Sequence, residues 1–95
     1  MLTGKQRAYL KKLATDLEPS VYIGKNEITG NVLKEMDNYL EAHELVKVKL
    51  QENVEFSAKD AANAAAEKLG AEYVSALGRK FVLYRESKDH KKIEL

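Results

Sequence analysis

The chain contains no cysteine, a single proline and only two histidines among 95 residues. Without cysteine there is no disulfide framework, no thiolate metal site and no thiol nucleophile, so core packing has to supply the stability. No apolar run approaches the roughly 18–20 residues needed to cross a bilayer, and the N-terminus lacks the apolar centre of a signal peptide. A soluble, cytoplasmic protein is therefore the expectation. Strong charge of either sign is also lacking: 16 Lys and Arg face 15 Asp and Glu, for a formal net charge of +1. Taken alone, that balance argues against a strongly basic nucleic-acid binder. What is present is ordinary for a globular domain, with 44% apolar and 33% charged residues. The length suits one domain and one core.

The charges are unevenly placed. Residues 1–12 hold Lys5, Arg7, Lys11 and Lys12 and no acid, residues 13–78 hold six bases and twelve acids, and residues 79–95 hold six bases and three acids. The near-neutral total thus conceals two basic ends around an acidic middle, and ends that meet in space would form one basic surface.

Local patterns give the elements. Thr3 with Gln6 is a capping-box pair opening a helix from about Gly4 to Asp16, with Leu10, Leu13 and Leu17 as its apolar stripe. Arg7, Lys11 and Lys12 lie mostly off that stripe. Pro19 stops the segment, and Val21, Tyr22 and Ile23 form a short strand. Gly24 to Glu27 makes a turn, after which Thr29 caps a second helix carrying Val32, Leu33, Met36 and Leu40. From Leu45 to Leu50 apolar and basic residues alternate, which predicts a strand with Val46, Val48 and Leu50 on the core face and Lys47 and Lys49 on a polar one. Ser57 with Asp60 starts an Ala-rich third helix that runs through Leu69 and ends at Gly70. Residues 73–77 and 80–84 form a hairpin about Gly78 and Arg79. The segment from about Glu86 to Lys92 is a loose polar tail. The order α-β-α-β-α-β-β predicts a single compact α/β domain: a four-stranded mixed sheet packed by helices in two or three layers, with two strand-helix-strand units favouring parallel neighbours. Strand order, and the face covered by the first helix, do not follow from these patterns.

Catalytic chemistry finds little to work with. His43 beside Glu44 lacks the second histidine of a metalloprotease helix, since position 47 is Lys. Its expected role is at the end of the second helix, near the terminal carbonyls. His90 lies in the tail. Gly24 sits where a strand-to-helix turn could present amides to a phosphate, but no nucleotide-binding glycine pattern surrounds it, and a left-handed turn residue is the simpler reading. Lys25 and Asn26 add a cation and an amide to that tip.

Three blocks then stand out: V-Y-I-G-K-N-E-I-T at 21–29, H-E-L-V-K-V-K-L at 43–50 and G-R-K-F-V-L-Y-R at 78–85. Together, and in this order, they resemble the YhbY-type RNA-binding family, whose domain is called CRM for chloroplast RNA splicing and ribosome maturation. The resemblance extends from the first helix to Arg85. It implies a fold similar to the C-terminal domain of a bacterial translation initiation factor. It also implies a non-catalytic protein that needs no cofactor and binds structured RNA, in particular ribosomal RNA of large-subunit precursors. In the family the loop after the first strand is a Gly-x-x-Gly turn implicated in RNA binding. Here that loop is Gly24, Lys25, Asn26 and Glu27, so the second glycine is replaced by an acid. Glu27 is then less suited to meet phosphate, although an acid before the second helix favours its positive dipole end.

Phosphate neutralisation by Lys and Arg would carry most of the affinity. The leading surface combines Gly24, Lys25 and Asn26 with Lys5, Arg7, Lys11 and Lys12, joined by Arg79, Lys80 and Arg85 if the fold brings them near. A second candidate is the polar sheet face, where Lys47 and Lys49 accompany Tyr22 and Tyr84. Core packing is the first expectation for both rings, and stacking on unpaired bases the second. A monomer with RNA as partner, and without membrane or small-molecule ligand, is the resulting expectation. The rival from another class is a protein adaptor docking through the Ala-rich third helix or the acidic second one.

Overall fold

A computed structural model describes residues 2–24 and 28–95. Lys25, Asn26 and Glu27 lie outside the described residues. The predicted helix starts are realised by their caps. Thr3 Oγ1 accepts from the Gln6 amide at 3.1 Å while Gln6 Oε1 accepts from the Thr3 amide at 3.0 Å, closing both halves of the box at the start of α1 (Gly4–Ala14). Thr29 accepts from Val32 at the start of α2 (Gly30–His43), and Ser57 from Asp60 at the start of α3 (Ala58–Leu69). The strands are β1 (Val21–Ile23), β2 (Leu45–Leu50), β3 (Glu72–Leu77) and β4 (Lys80–Tyr84). Gly70 at φ 63° ends α3, and Gly78 at φ 60° turns the β3–β4 hairpin; both need the left-handed region that glycine enters freely.

The sheet order is β1-β2-β4-β3, with β1 parallel to β2 and the other neighbours antiparallel. Only the first strand-helix-strand unit has its strands side by side. In the second, β4 lies between β2 and β3, because the tight hairpin folds it back into the middle of the sheet. Phe81 to Tyr84 are all buried there, whereas β3 takes the edge with an irregular register between Tyr73 and Ser75.

Three layers result. Ile23, Val46, Val48, Leu50, Phe81 and Leu83 meet Met36 and Leu40 of α2 and the alanines of α3 on one face. On the other face Leu10 and Ala14 of α1, with Leu2, meet Leu45, Val74, Val82 and Tyr84. The contact face of α1 therefore differs from the Leu10–Leu13–Leu17 stripe. Leu13 and Leu17 remain 39% and 41% exposed, because the helix ends at Ala14 and places Ala14 rather than Leu13 against the sheet. The alanine spacing of α3 serves close packing: Ala61, Ala62, Ala65 and Ala66 are all buried in the core.

The polar tail is tethered, not loose. Glu44 follows α2 in the left-handed region at φ 67° and is fully buried. Its carboxylate accepts from the amides of Ser87 (2.7 Å), Lys92 (2.6 Å) and Ile93 (2.7 Å). Glu41, one turn earlier, accepts from the Ser87 hydroxyl and the amides of Lys88 and Asp89. Ile93 packs on the α1 cluster, and Glu94 and Leu95 lie beside Lys5 and Tyr9, so the two ends of the chain do meet. Among the described residues no helix is long and apolar enough to cross a membrane.

Candidate nucleic-acid interface

The fold sorts the candidate cations into two ends. β1, β2 and β3 all run toward the end that carries Gly24, Gln51 and the Gly78–Arg79 turn, where the Gln51 amide donates to Ile23 and the Leu50 amide to Arg79. α1 begins at the opposite end, its Leu2 amide donating to Glu72, and stops partway along the sheet, where Lys47 Nζ donates to the Ala14 carbonyl at 3.1 Å. Lys11 therefore comes close to Lys47 and Lys80. The three line a cleft of about 240 Å³ floored by Ala14, Leu77 and Val82. Lys12 is exposed on the same last turn of α1.

The remaining candidates are placed differently. Arg7 donates through Nε to Tyr73 at the start of β3, and Lys5 lies exposed beside the C-terminal residues. Arg85 reaches Asp37 at 2.7 Å and the carbonyls of Leu69 and Asp37, tying β4 to α2 and α3. These three occupy the end away from Gly24 and Lys80. Arg79 is at the Gly24 end, but its guanidinium donates to the carbonyls of Leu50, Gln51 and Val54 and clamps the segment leading to α3. Its charge still faces solvent, while its donors serve the fold.

Gly24 is the one loop residue that can be described. It does not adopt a positive φ, so the left-handed reading of it is replaced by another constraint: a Cβ there would lie 2.5 Å from Gln51 Oε1. Close approach to β2 fits a residue without a side chain, although the crowding atom is the movable tip of Gln51. Lys25 and Asn26, predicted contacts, fall outside the described residues.

The two tyrosines part company. Tyr84 is buried beneath α1, and burial raises the pKa of its hydroxyl. Tyr22 stands 52% exposed, on the face not covered by α2 and α3, in a shallow depression with Lys49, Gln51, Glu52, Asn53 and Arg79. Leu77, not singled out in the sequence, is the most exposed large apolar residue among the described residues, at 82%. Only the strand register brings it to this surface.

The histidines have structural neighbours. His43 ends α2 with its ring 4.3 Å from that of Tyr39, and His90 lies 3.9 Å from Glu41. Among the described residues no group of three His, Asp or Glu side chains could hold a metal ion.

A Bacillus subtilis relative, named probable RNA-binding protein YqeI, is 40% identical over 95 residues, covering 100% of this chain and 99% of its own. A Haemophilus influenzae relative named RNA-binding protein is 39% identical over 90 residues, covering 95% of this chain and 91% of its own. The solution structure of a Staphylococcus aureus protein, described as a candidate RNA-binding protein, superposes with a TM-score of 0.76 at 43% identity and covers 100% and 99% of the two chains. The CRS1 / YhbY (CRM) domain model matches residues 2–85, from the start of α1 to the end of β4, and with that span and those relatives the chain belongs to the CRM domain family.

Proposed function

We infer that this domain is a non-catalytic RNA-binding protein, and that its RNA is structured ribosomal RNA in precursors of the large subunit. The observation that carries the reading is the convergence of Lys11, Lys47 and Lys80 on one cleft, with Lys49 opposite Lys80 toward the end of the sheet that also holds Gly24. A local patch on a chain of net charge +1 favours a chosen RNA feature over indiscriminate binding. The names of the relatives support RNA as the partner. The adaptor reading loses one of its two surfaces, because the alanine face of α3 is occupied by the core. We place the protein in the cytoplasm, acting as a monomer.

The test is binding of a large-subunit ribosomal RNA fragment across a salt series. The affinity falls with salt at a log-log slope of about 0.7–0.9 per phosphate contact. Replacing Lys11 and Lys12 together with Ala weakens binding without lowering Tm. Salt-independent binding, or co-sedimentation with ribosomal particles that survives RNA digestion, refutes the reading.

A further inference from the structure

Four side chains stand in a line across the whole sheet. The registers pair Tyr22 with Lys49, Lys49 with Lys80 and Lys80 with Leu77, so the line crosses β1, β2, β4 and β3 in turn. Paired residues on neighbouring strands share a face, and this is the face of α1, since the alternating neighbours Ile23, Leu50, Phe81 and Ala76 pack against α2 and α3. α1 stops short of the line, and all four side chains are exposed. With strands about 4.8 Å apart, the row is roughly 14 Å long, room for a few nucleotides.

The centre and one end of the row run against what a solvent-facing sheet prefers. Lys49 and Lys80 oppose each other directly, and like charges at opposed positions destabilise a ladder. Neither is paired with a carboxylate among the described residues. Flanking them, a tyrosine ring and a leucine lie open to water. Local rules broken together, at one place and without compensation among the described residues, mark a surface shaped for something outside it.

We propose that this row is a platform for unpaired RNA, with a backbone phosphate set against Lys49 and Lys80, one base stacked on Tyr22 and a second lying over Leu77. The proposal rests on the RNA-binding reading and specifies its ligand. Two opposed cations match an anion, and a flat aromatic surface matches a base face. Away from its ends a double helix keeps its base faces stacked internally, so along a strand only unpaired nucleotides can use Tyr22. Glu52 also lines the depression around Tyr22, which puts the phosphate at the Lys49–Lys80 centre of the row. Lys11 and Lys47, in the adjoining cleft, extend the path for the backbone.

The experiment titrates the full chain and its variants with an oligouridylate of about eight nucleotides, a length within the usual range for single-strand sites, and with a blunt, fully paired RNA duplex. Tyr22→Ala is expected to weaken oligouridylate binding about tenfold, the usual scale for loss of one stacked base, and to leave duplex binding unchanged. Tyr22→Phe retains the affinity. Lys80→Glu weakens oligouridylate binding while raising Tm, because it converts an opposed like-charge pair into an attractive one. Oligouridylate affinity unaffected by Tyr22→Ala, an equal loss on the duplex, or binding of the duplex alone overturns the platform and leaves the RNA-binding reading in place. An unaltered protein that binds neither these probes nor ribosomal RNA overturns both.

Discussion

Glu44 shows how much one residue can settle. Burial opposes its ionisation, but the amides of Lys92, Ser87 and Ile93 outweigh burial and hold its pKa below the ordinary 4.5. Glu41 beside it is held down to about 2, chiefly by the Ser87 hydroxyl and then by the amides of Asp89 and Lys88. A carboxylate whose folded pKa is depressed contributes stability that is present above its ordinary value and is lost as pH falls through the folded one. The Glu41 contacts to the tail are therefore expected to be lost between about pH 4.5 and 2, seen as loss of amide protection at Lys88 and Asp89 in an acid titration, and the Glu44 contacts to Ser87, Lys92 and Ile93 to be lost below the ordinary carboxylate range. Replacing Glu44 with Ala strands three amides and is expected to cost about 2 kcal/mol, read in chemical denaturation. Nothing in the sequence marked this role. Glu44 was visible only as half of a His-Glu pair, and the amides that define its function come from residues more than forty positions away.

At the scale of elements, the caps were legible because each is a local pattern: Thr3, Thr29 and Ser57 each meet an amide three residues on. The packed face of α1 was less so, since Leu10, Leu13 and Ala14 are all plausible inward positions and only contact with Leu45 and Val82 chooses among them. The choice has a measurable consequence. Leu10→Ala, at a fully buried position, should cost about 2–5 kcal/mol, whereas Leu13→Ala on the exposed flank should cost under about 1 kcal/mol. Equal losses in denaturant midpoints would place α1 differently on the sheet. In α3, Ala62→Leu is expected to destabilise by about 1–3 kcal/mol through overpacking, again by denaturation, because Ala62 has no exposed surface.

On the scale of the molecule, the sheet order sorts scattered bases into two groups, Lys11, Lys47, Lys49 and Lys80 on the Gly24 side and Lys5, Arg7 and Arg85 at the other end. Lys11→Ala should reduce RNA affinity more than Lys5→Ala does, since Lys11 faces Lys47 and Lys80 while Lys5 lies by the tail. Parallel titrations of the two variants check this. Arg85→Ala should lower stability by about 1 kcal/mol and leave affinity nearly intact, its donors being taken by Asp37 and Leu69. Length, periodicity, caps and turn glycines by themselves determined the elements, their order and the α/β class, because those depend on residues a few positions apart. The balanced charge proved uninformative about binding, as it sums groups whose positions it ignores. Which lysines converge, that Tyr22 is exposed while Tyr84 is buried, and that Leu77 lies in line with them were decided only by the tertiary structure. Strand register and the placement of β4 between β2 and β3 join residues distant in the chain, Tyr22 to Lys49 and Lys49 to Lys80, and those are set by burial of the whole sheet between its helices.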